Sequence, residues 1–201
     1  MEAETLLALI QARRSIRRYS ERPVSPAALE RLLEAARWAP SAHNRQPWRF
    51  AVLVEPEPRL RLAQAMGERF RRDLLADGLA ADEVERQVAR SVARIGGAPA
   101  VIVVFLSMAD MDRHPDARRQ GYEREMAAQS VALAVQNMLL MAHAQGLGAC
   151  WLCAPLFCPE VVRETLELPP DWEALALLTV GYPAEARSKD RAPLETKVRW
   201  F

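Results

Sequence analysis

Two short stretches of this 201-residue chain concentrate side chains able to grip a ligand. The first is Arg13-Arg14-Ser15-Ile16-Arg17-Arg18, four guanidiniums and a hydroxyl within six residues. A guanidinium meets phosphate oxygens through a two-pronged fork, so the cluster suits a phosphate. Basic residues at the carboxyl end of a helix also complement its dipole, which gives the same cluster a purely structural use. The second stretch is Ala39-Pro40-Ser41-Ala42-His43-Asn44-Arg45-Gln46-Pro47-Trp48. Asn44 and Gln46 each carry a donor and an acceptor, the equipment for reading the amide-like edge of a heterocycle. In an ordinary loop they would satisfy backbone groups instead.

Other clusters carry less. Cys150-Trp151-Leu152-Cys153 has the spacing of a redox or metal pair, with Cys158 beyond it. It falls on a predicted strand, where residues three apart point to opposite faces, and no second pair completes a metal site. These cysteines read as small core residues. Asp110, Asp112, His114 and Asp116 alternate through a segment without the turn glycine or closing glutamate of a calcium loop, so a solvated loop and no metal are expected. His43 is read as lining a pocket at most. Trp38, Trp48, Trp151 and Trp172 are read as packing residues, Trp151 alone being placed to reach a ligand. There is no convincing Ser/His/Asp set. No G-x-G-x-x-G follows a strand, so no separate dinucleotide-binding domain is expected.

The elements that must position these residues follow from pattern. Thr5 to Arg13 reads as a helix. Ser25-Pro26 is a cap and first-turn proline opening a helix to about Trp38, with Leu29, Leu32, Leu33 and Ala36 at helical spacing. Trp48 to Val54 is a short β-rich run. Two charged helices are expected near 59–76 and 82–94. Ala100 to Leu106 is an unbroken apolar run, the mark of a strand buried on both faces. Met126 to Ala144 predicts a helix apolar nearly all round, placed in a core or against a second subunit. Ala149 to Leu152 reads as a strand, Pro159 to Leu166 as a short helix and Leu175 to Val180 as the last strand. The mixed order argues an α+β layered domain, and the length argues one domain over 1–201.

Composition narrows the function classes. The net charge is +1, from 27 basic and 26 acidic residues, and the arginines lie in mixed-charge helices, so no nucleic-acid face is expected. The 126–144 stretch holds Gln129, Ser130, Gln136, Asn137 and His143, too polar for a bilayer span. The start, Met1-Glu2-Ala3-Glu4-Thr5, is acidic and unlike a signal peptide. Three cysteines suit a reducing compartment, and a cytoplasmic protein is expected.

Arg13-Arg14-Ser15-x-Arg17, followed after about twenty residues by Ala39-Pro40-Ser41-x-x-Asn44-x-Gln46-Pro47-Trp48, resembles the nitroreductase family signature. The resemblance continues through Gly146-Leu147-Gly148, Gly181-Tyr182-Pro183 and Lys189-x-Arg191-x-Pro193-Leu194-Glu195. It implies an α+β nitroreductase-like fold, a central and mostly antiparallel sheet flanked by helices, in an intertwined homodimer with FMN at the subunit interface. Arg13, Arg14, Ser15 and Arg17 would hold the phosphate, ribityl chain and pyrimidine edge, completed by Lys189 and Arg191. Pro40, Ser41, Ala42, Asn44 and Gln46 would approach the ring from the other subunit. Leu152, Cys153 and Ala154 would set backbone amides near the hydride-accepting nitrogen, leaving Arg17, Cys153 and Ala154 nearest the chemistry.

The function so implied is an FMN-dependent oxidoreductase. It would take hydride from NADH or NADPH and pass it by ping-pong turnover to a nitro, quinone or related acceptor. The segments Gly146 to Leu152, Leu168 to Glu173 and Gly181 to Pro183 also resemble the FMN reductase domain of deazaflavin-coenzyme biosynthesis, which reduces a dehydro precursor. A third reading is a flavin-binding or flavin-degrading protein without acceptor turnover. Where the family usually has Glu-Gly beside the flavin, this chain has Cys153-Ala154.

Overall fold

The computed structural model describes residues 2–201; Met1, part of the acidic start, lies outside the described residues. The helices are α1 (Ala3–Ala12), α2 (Pro26–Arg37), α3 (Pro56–Ala76), α4 (Ala81–Gly96), α5 (Ala117–Ala144) and α6 (Pro159–Thr165). The strands are β1 (Trp48–Leu53), β2 (Ala100–Leu106), β3 (Gly148–Leu152) and β4 (Glu173–Gly181), in the order β1-β2-β4-β3. Each of the three pairings is antiparallel.

Side chains on a strand alternate between its two faces, and β2 is buried along its whole length, so it supplies two cores at once. Ile102, Val104 and Leu106 pack with Leu29 and Leu32 of α2 and with Val131, Val135 and Met138 of α5. Val101, Val103 and Phe105 face Leu62 and Met66 of α3, Ile95 of α4 and Val162 of α6. Helices therefore cover both faces of the sheet. Trp172 packs on Phe105 with ring centroids 5.4 Å apart.

Local chemistry sets the helix starts. The Ser25 hydroxyl accepts from the Ala28 amide at 3.3 Å with Pro26 in the first turn, as the sequence suggested. The Asp116 carboxylate accepts from the Arg119 amide at 2.9 Å and opens α5. That helix starts nine residues before the expected Met126, because its first turns are polar and carry no apolar periodicity. Along it Ala127, Ala134 and Ala142 are buried while Leu133 stays 47% exposed. β4 begins at Glu173, two residues before the expected Leu175. β3 ends at Leu152, so Cys153 lies just past the strand on which it was expected. Trp38 does not pack: it is 74% exposed, its indole donating to Glu34 at 2.8 Å.

Candidate functional site

The Arg13–Arg18 cluster follows α1 and runs onto the open edge of β3. Ser15 bridges Ala149, and the Ile16 amide donates to the Ala149 carbonyl at 3.1 Å. Farther on, the Ser20 amide donates to Tyr182 at 2.9 Å and the Ala184 amide to Arg18 at 3.0 Å. The Tyr19 hydroxyl meets the Thr179 hydroxyl at 2.8 Å and donates to the Ile16 carbonyl at 2.5 Å. Burial at that spot holds its pKa well above the usual phenol range.

So close a run of backbone needs two missing side chains. A Cβ on Gly148 would stand 2.7 Å from the Ile16 Cβ. A Cβ on Gly181 would stand 2.7 Å from Pro99 and 2.9 Å from Tyr19. The two glycines face each other in the β3–β4 register. Their place in the resemblance thus has a steric cause.

The carboxyl-terminal tail closes the cluster. Glu185 accepts the Arg17 amide at 2.7 Å and the Arg18 amide at 3.2 Å, and pairs with Arg187 at 2.8 Å. With Arg187 the leading cause, these contacts hold its carboxyl down to about 2. Arg13, Arg14, Ser15, Arg17, Arg187, Ser188, Lys189 and Arg191 then line one cavity of about 420 Å³. The Arg13 guanidinium is pushed down by burial and next by the positive charges of Arg191 and Arg14. The Arg14 Nε is buried without a partner. Crowded cations that repel one another, with a donor unspent, form a cradle for a dianion such as a phosphate ester.

The second stretch is built differently. His43, Asn44 and Gln46 adopt φ of 49°, 55° and 51°, a left-handed region that non-glycine residues rarely enter. Neighbouring contacts hold them there. The Ser41 hydroxyl accepts from the Gln46 amide at 3.1 Å, and the Ala42 amide donates at 3.1 Å to Ser130, which is anchored on Met126 of α5. Arg45 pairs with Asp112 at 2.6 Å and Arg49 with Asp110 at 2.8 Å. These pairs, with the capping role of Asp116, account for the alternating acidic residues; among the described residues no three potential ligands gather as a metal site. His114 meets the buried Glu123 at 3.6 Å.

Pro40, Ser41 and Ala42 line a shallow cavity of about 250 Å³ with Met126, Gln129, Ser130 and Leu133. This cavity shares no residue with the cradle. Within one chain, then, the cradle and Pro40, Ser41 and Ala42 line separate hollows, while Asn44 and Gln46 line neither.

The third predicted piece, Leu152 to Ala154, forms the corner after β3. Cys153 is exposed and its sulfur accepts the Trp151 indole N–H at 2.9 Å. Cys150 and Cys158 are buried free thiols, and burial pushes Cys158 up to about 11. Ala154 and Cys158 line a cavity of about 350 Å³ against α3 and α4.

Sequence reasoning missed Arg187, two residues before the Lys189-x-Arg191 motif. It did not single out Arg94 either, which lines a separate small hollow with Gln87 and Arg90. Arg90 and Arg94, four apart on α4, were the available signal. A cavity of about 760 Å³ beside Arg113, Arg163, Asp171 and Trp172 contains none of the predicted site residues.

Comparison with known proteins bears on the whole arrangement. The model of the nitroreductase family matches residues 10–182. The NADH dehydrogenase of Thermus thermophilus is 33% identical, over 94% of this chain and 92% of its own. The 5,6-dimethylbenzimidazole synthase of Rhodospirillum rubrum is 31% identical, over 89% and 82%. Among solved structures, the FMN complex of a nitroreductase-like protein from Desulfovibrio desulfuricans is 31% identical with a TM-score of 0.74, covering 96% of this chain and 94% of that one. The antiparallel sheet, the helices on both its faces and a match running from the end of α1 to Tyr182 place this chain in the nitroreductase family.

Proposed function

We propose that the chain is an FMN-dependent NAD(P)H oxidoreductase, acting as one domain in a homodimer and reducing a nitro, quinone or related conjugated acceptor by ping-pong turnover. The observation that carries this reading is the cradle: mutually repelling cations fit the doubly charged phosphate of FMN. The flavin ring supplies the hydride-accepting and hydride-donating chemistry. Arg13, Arg14, Ser15, Lys189 and Arg191 bind the phosphate end, joined by Arg187. The fixed charge of Arg17 favours the electron-rich form of the ring at its pyrimidine edge. Leu152, Cys153 and Ala154 offer backbone donors at the reacting edge.

Pro40, Ser41, Ala42, Asn44 and Gln46 wall the ring from a second copy, in keeping with the place of Pro40, Ser41 and Ala42 in a hollow apart from the cradle. An apolar surface left for that copy supports the dimer. No residue of α1 is buried, and Leu6, Leu7, Ile10 and Leu133 are each more than 40% exposed.

The test is an absorption spectrum of purified protein, then anaerobic addition of NADH or NADPH. Oxidised-flavin bands that bleach, and recover on adding a nitroarene or quinone, are expected; no flavin after FMN supplementation would end the proposal. A second reading, flavin degradation, is favoured by the likeness to the dimethylbenzimidazole synthase. It predicts that the flavin, once bleached and exposed to oxygen, is consumed rather than recovered. The deazaflavin-precursor reading rests on the carboxyl-half motifs alone. No helix among the described residues is long and apolar enough to cross a membrane.

A further inference from the structure

The cavity at the Ala154 corner has a chemistry unlike the rest of the site. Met66, Phe70 and Leu74 of α3 form one wall, and Ala154, Phe157 and Cys158 form the other. Its one cation, Arg69, is spent on Asp73 at 3.0 Å, and Asp77 adds a carboxylate to the lining. Burial raises the Cys158 thiol well above its ordinary range, so no thiolate faces the space. At about 350 Å³ the cavity has the volume of a small ligand site.

A smaller hollow lined by Gln87, Arg90 and Arg94 adjoins it, the two sharing Phe70 and Ser91. The apolar chamber thus meets the proposed reacting corner at Ala154 and adjoins the Arg90–Arg94 hollow on its other side.

We infer that this chamber takes the apolar part of the electron acceptor, and so selects uncharged aromatic acceptors extended by a fused ring or alkyl group. The inference rests on the oxidoreductase reading above. The chamber itself suits a dinucleotide's phosphates poorly, since they would meet Asp77 and the Asp73-paired Arg69, with Arg90 and Arg94 lining the adjoining hollow instead. A single unsubstituted ring needs none of the chamber. An added ring or chain gains affinity by leaving water for the Phe70, Leu74 and Met66 surface.

The experiment compares 1-nitronaphthalene with nitrobenzene on the FMN-loaded protein, by calorimetric binding and by KM. Leu74→Trp fills the chamber, and Phe70→Ala removes one wall. Leu74→Trp is expected to weaken 1-nitronaphthalene about tenfold in both Kd and KM while shifting nitrobenzene less than about twofold, the scale at which apolar pockets discriminate. Phe70→Ala is expected to weaken the larger ring in the same sense, and it decides the matter if Leu74→Trp fails to fold. Equal effects on the two ligands, or none, overturn the inference. If NAD(P)H never bleaches the flavin yet the binding difference holds, the chamber stands and the oxidoreductase reading fails. Bleaching without the binding difference overturns the chamber and leaves the oxidoreductase reading intact.

Discussion

The Arg13–Arg17 cradle and the Pro40–Trp48 loop reach ligand-binding form by opposite means. The cradle has ordinary backbone and extraordinary charge. It rests on a sheet edge thinned by two glycines and is clasped by a tail carboxylate. The loop is nearly neutral in effect, its Arg45 spent on Asp112, but its backbone is forced left-handed at three non-glycine residues. Charge can hold a phosphate without fine geometry, whereas a ring edge must be met by groups in fixed positions. Strain in one region and repulsion in the other are the two costs of a site prepared before its ligand arrives.

The comparison breaks most visibly in mixed dimers. Arg13→Ala and Asn44→Ala homodimers should each lose most activity, while heterodimers carrying one of each should regain one intact site. Inactive heterodimers would show that both halves serve the same subunit. Arg13→Ala alone should weaken FMN binding by about 1.5–3 kcal/mol, the range for a charged hydrogen bond, read by fluorescence titration. Gly148→Ala should cost about 1–3 kcal/mol of stability in chemical unfolding, since the added methyl meets the Ile16 Cβ rather than a flexible tip. It should also release flavin. Ser41→Ala removes one bond to the Gln46 amide and should cost about 0.5–1.5 kcal/mol, seen as a higher KM with flavin content unchanged.

The smallest effect is the pH dependence of the tail clasp. The Glu185 carboxyl lies below its ordinary 4.5, at about 2, so its contribution is complete above 4.5 and fades as pH falls towards 2. The Arg17 and Arg18 amides should therefore stay protected from hydrogen exchange at pH 5 and lose protection only in that acid window. Glu185→Gln should flatten the response.

The fold class was legible in the sequence, and so was the Arg13–Arg17 and Lys189–Arg191 pairing that the fold gathers into one cavity. β2 announced itself as a doubly buried strand, and the Ser25-Pro26 cap placed α2 correctly. The polar opening of α5 was invisible to hydropathy, although Asp116 was a readable cap. Arg187 was missed for another reason: arginine is so common here that only the fold separates those facing the cradle from those in helical ion pairs such as Arg86–Glu83. Nor could spacing reveal the left-handed run at His43 to Gln46, because none of these residues is glycine. The apolar chamber joins α3 to residues about ninety positions later, a proximity no local pattern encodes.

The Glu185 clasp also bears on biosynthesis. Arg17 and Glu185 lie 168 residues apart, and the cradle's two groups of cations come from those distant stretches. While the chain is being synthesised, the early arginines emerge long before Arg187, Lys189 and Arg191 exist to join them. Tight capture of a phosphate-bearing cofactor by both groups should then await synthesis of residues 185–191.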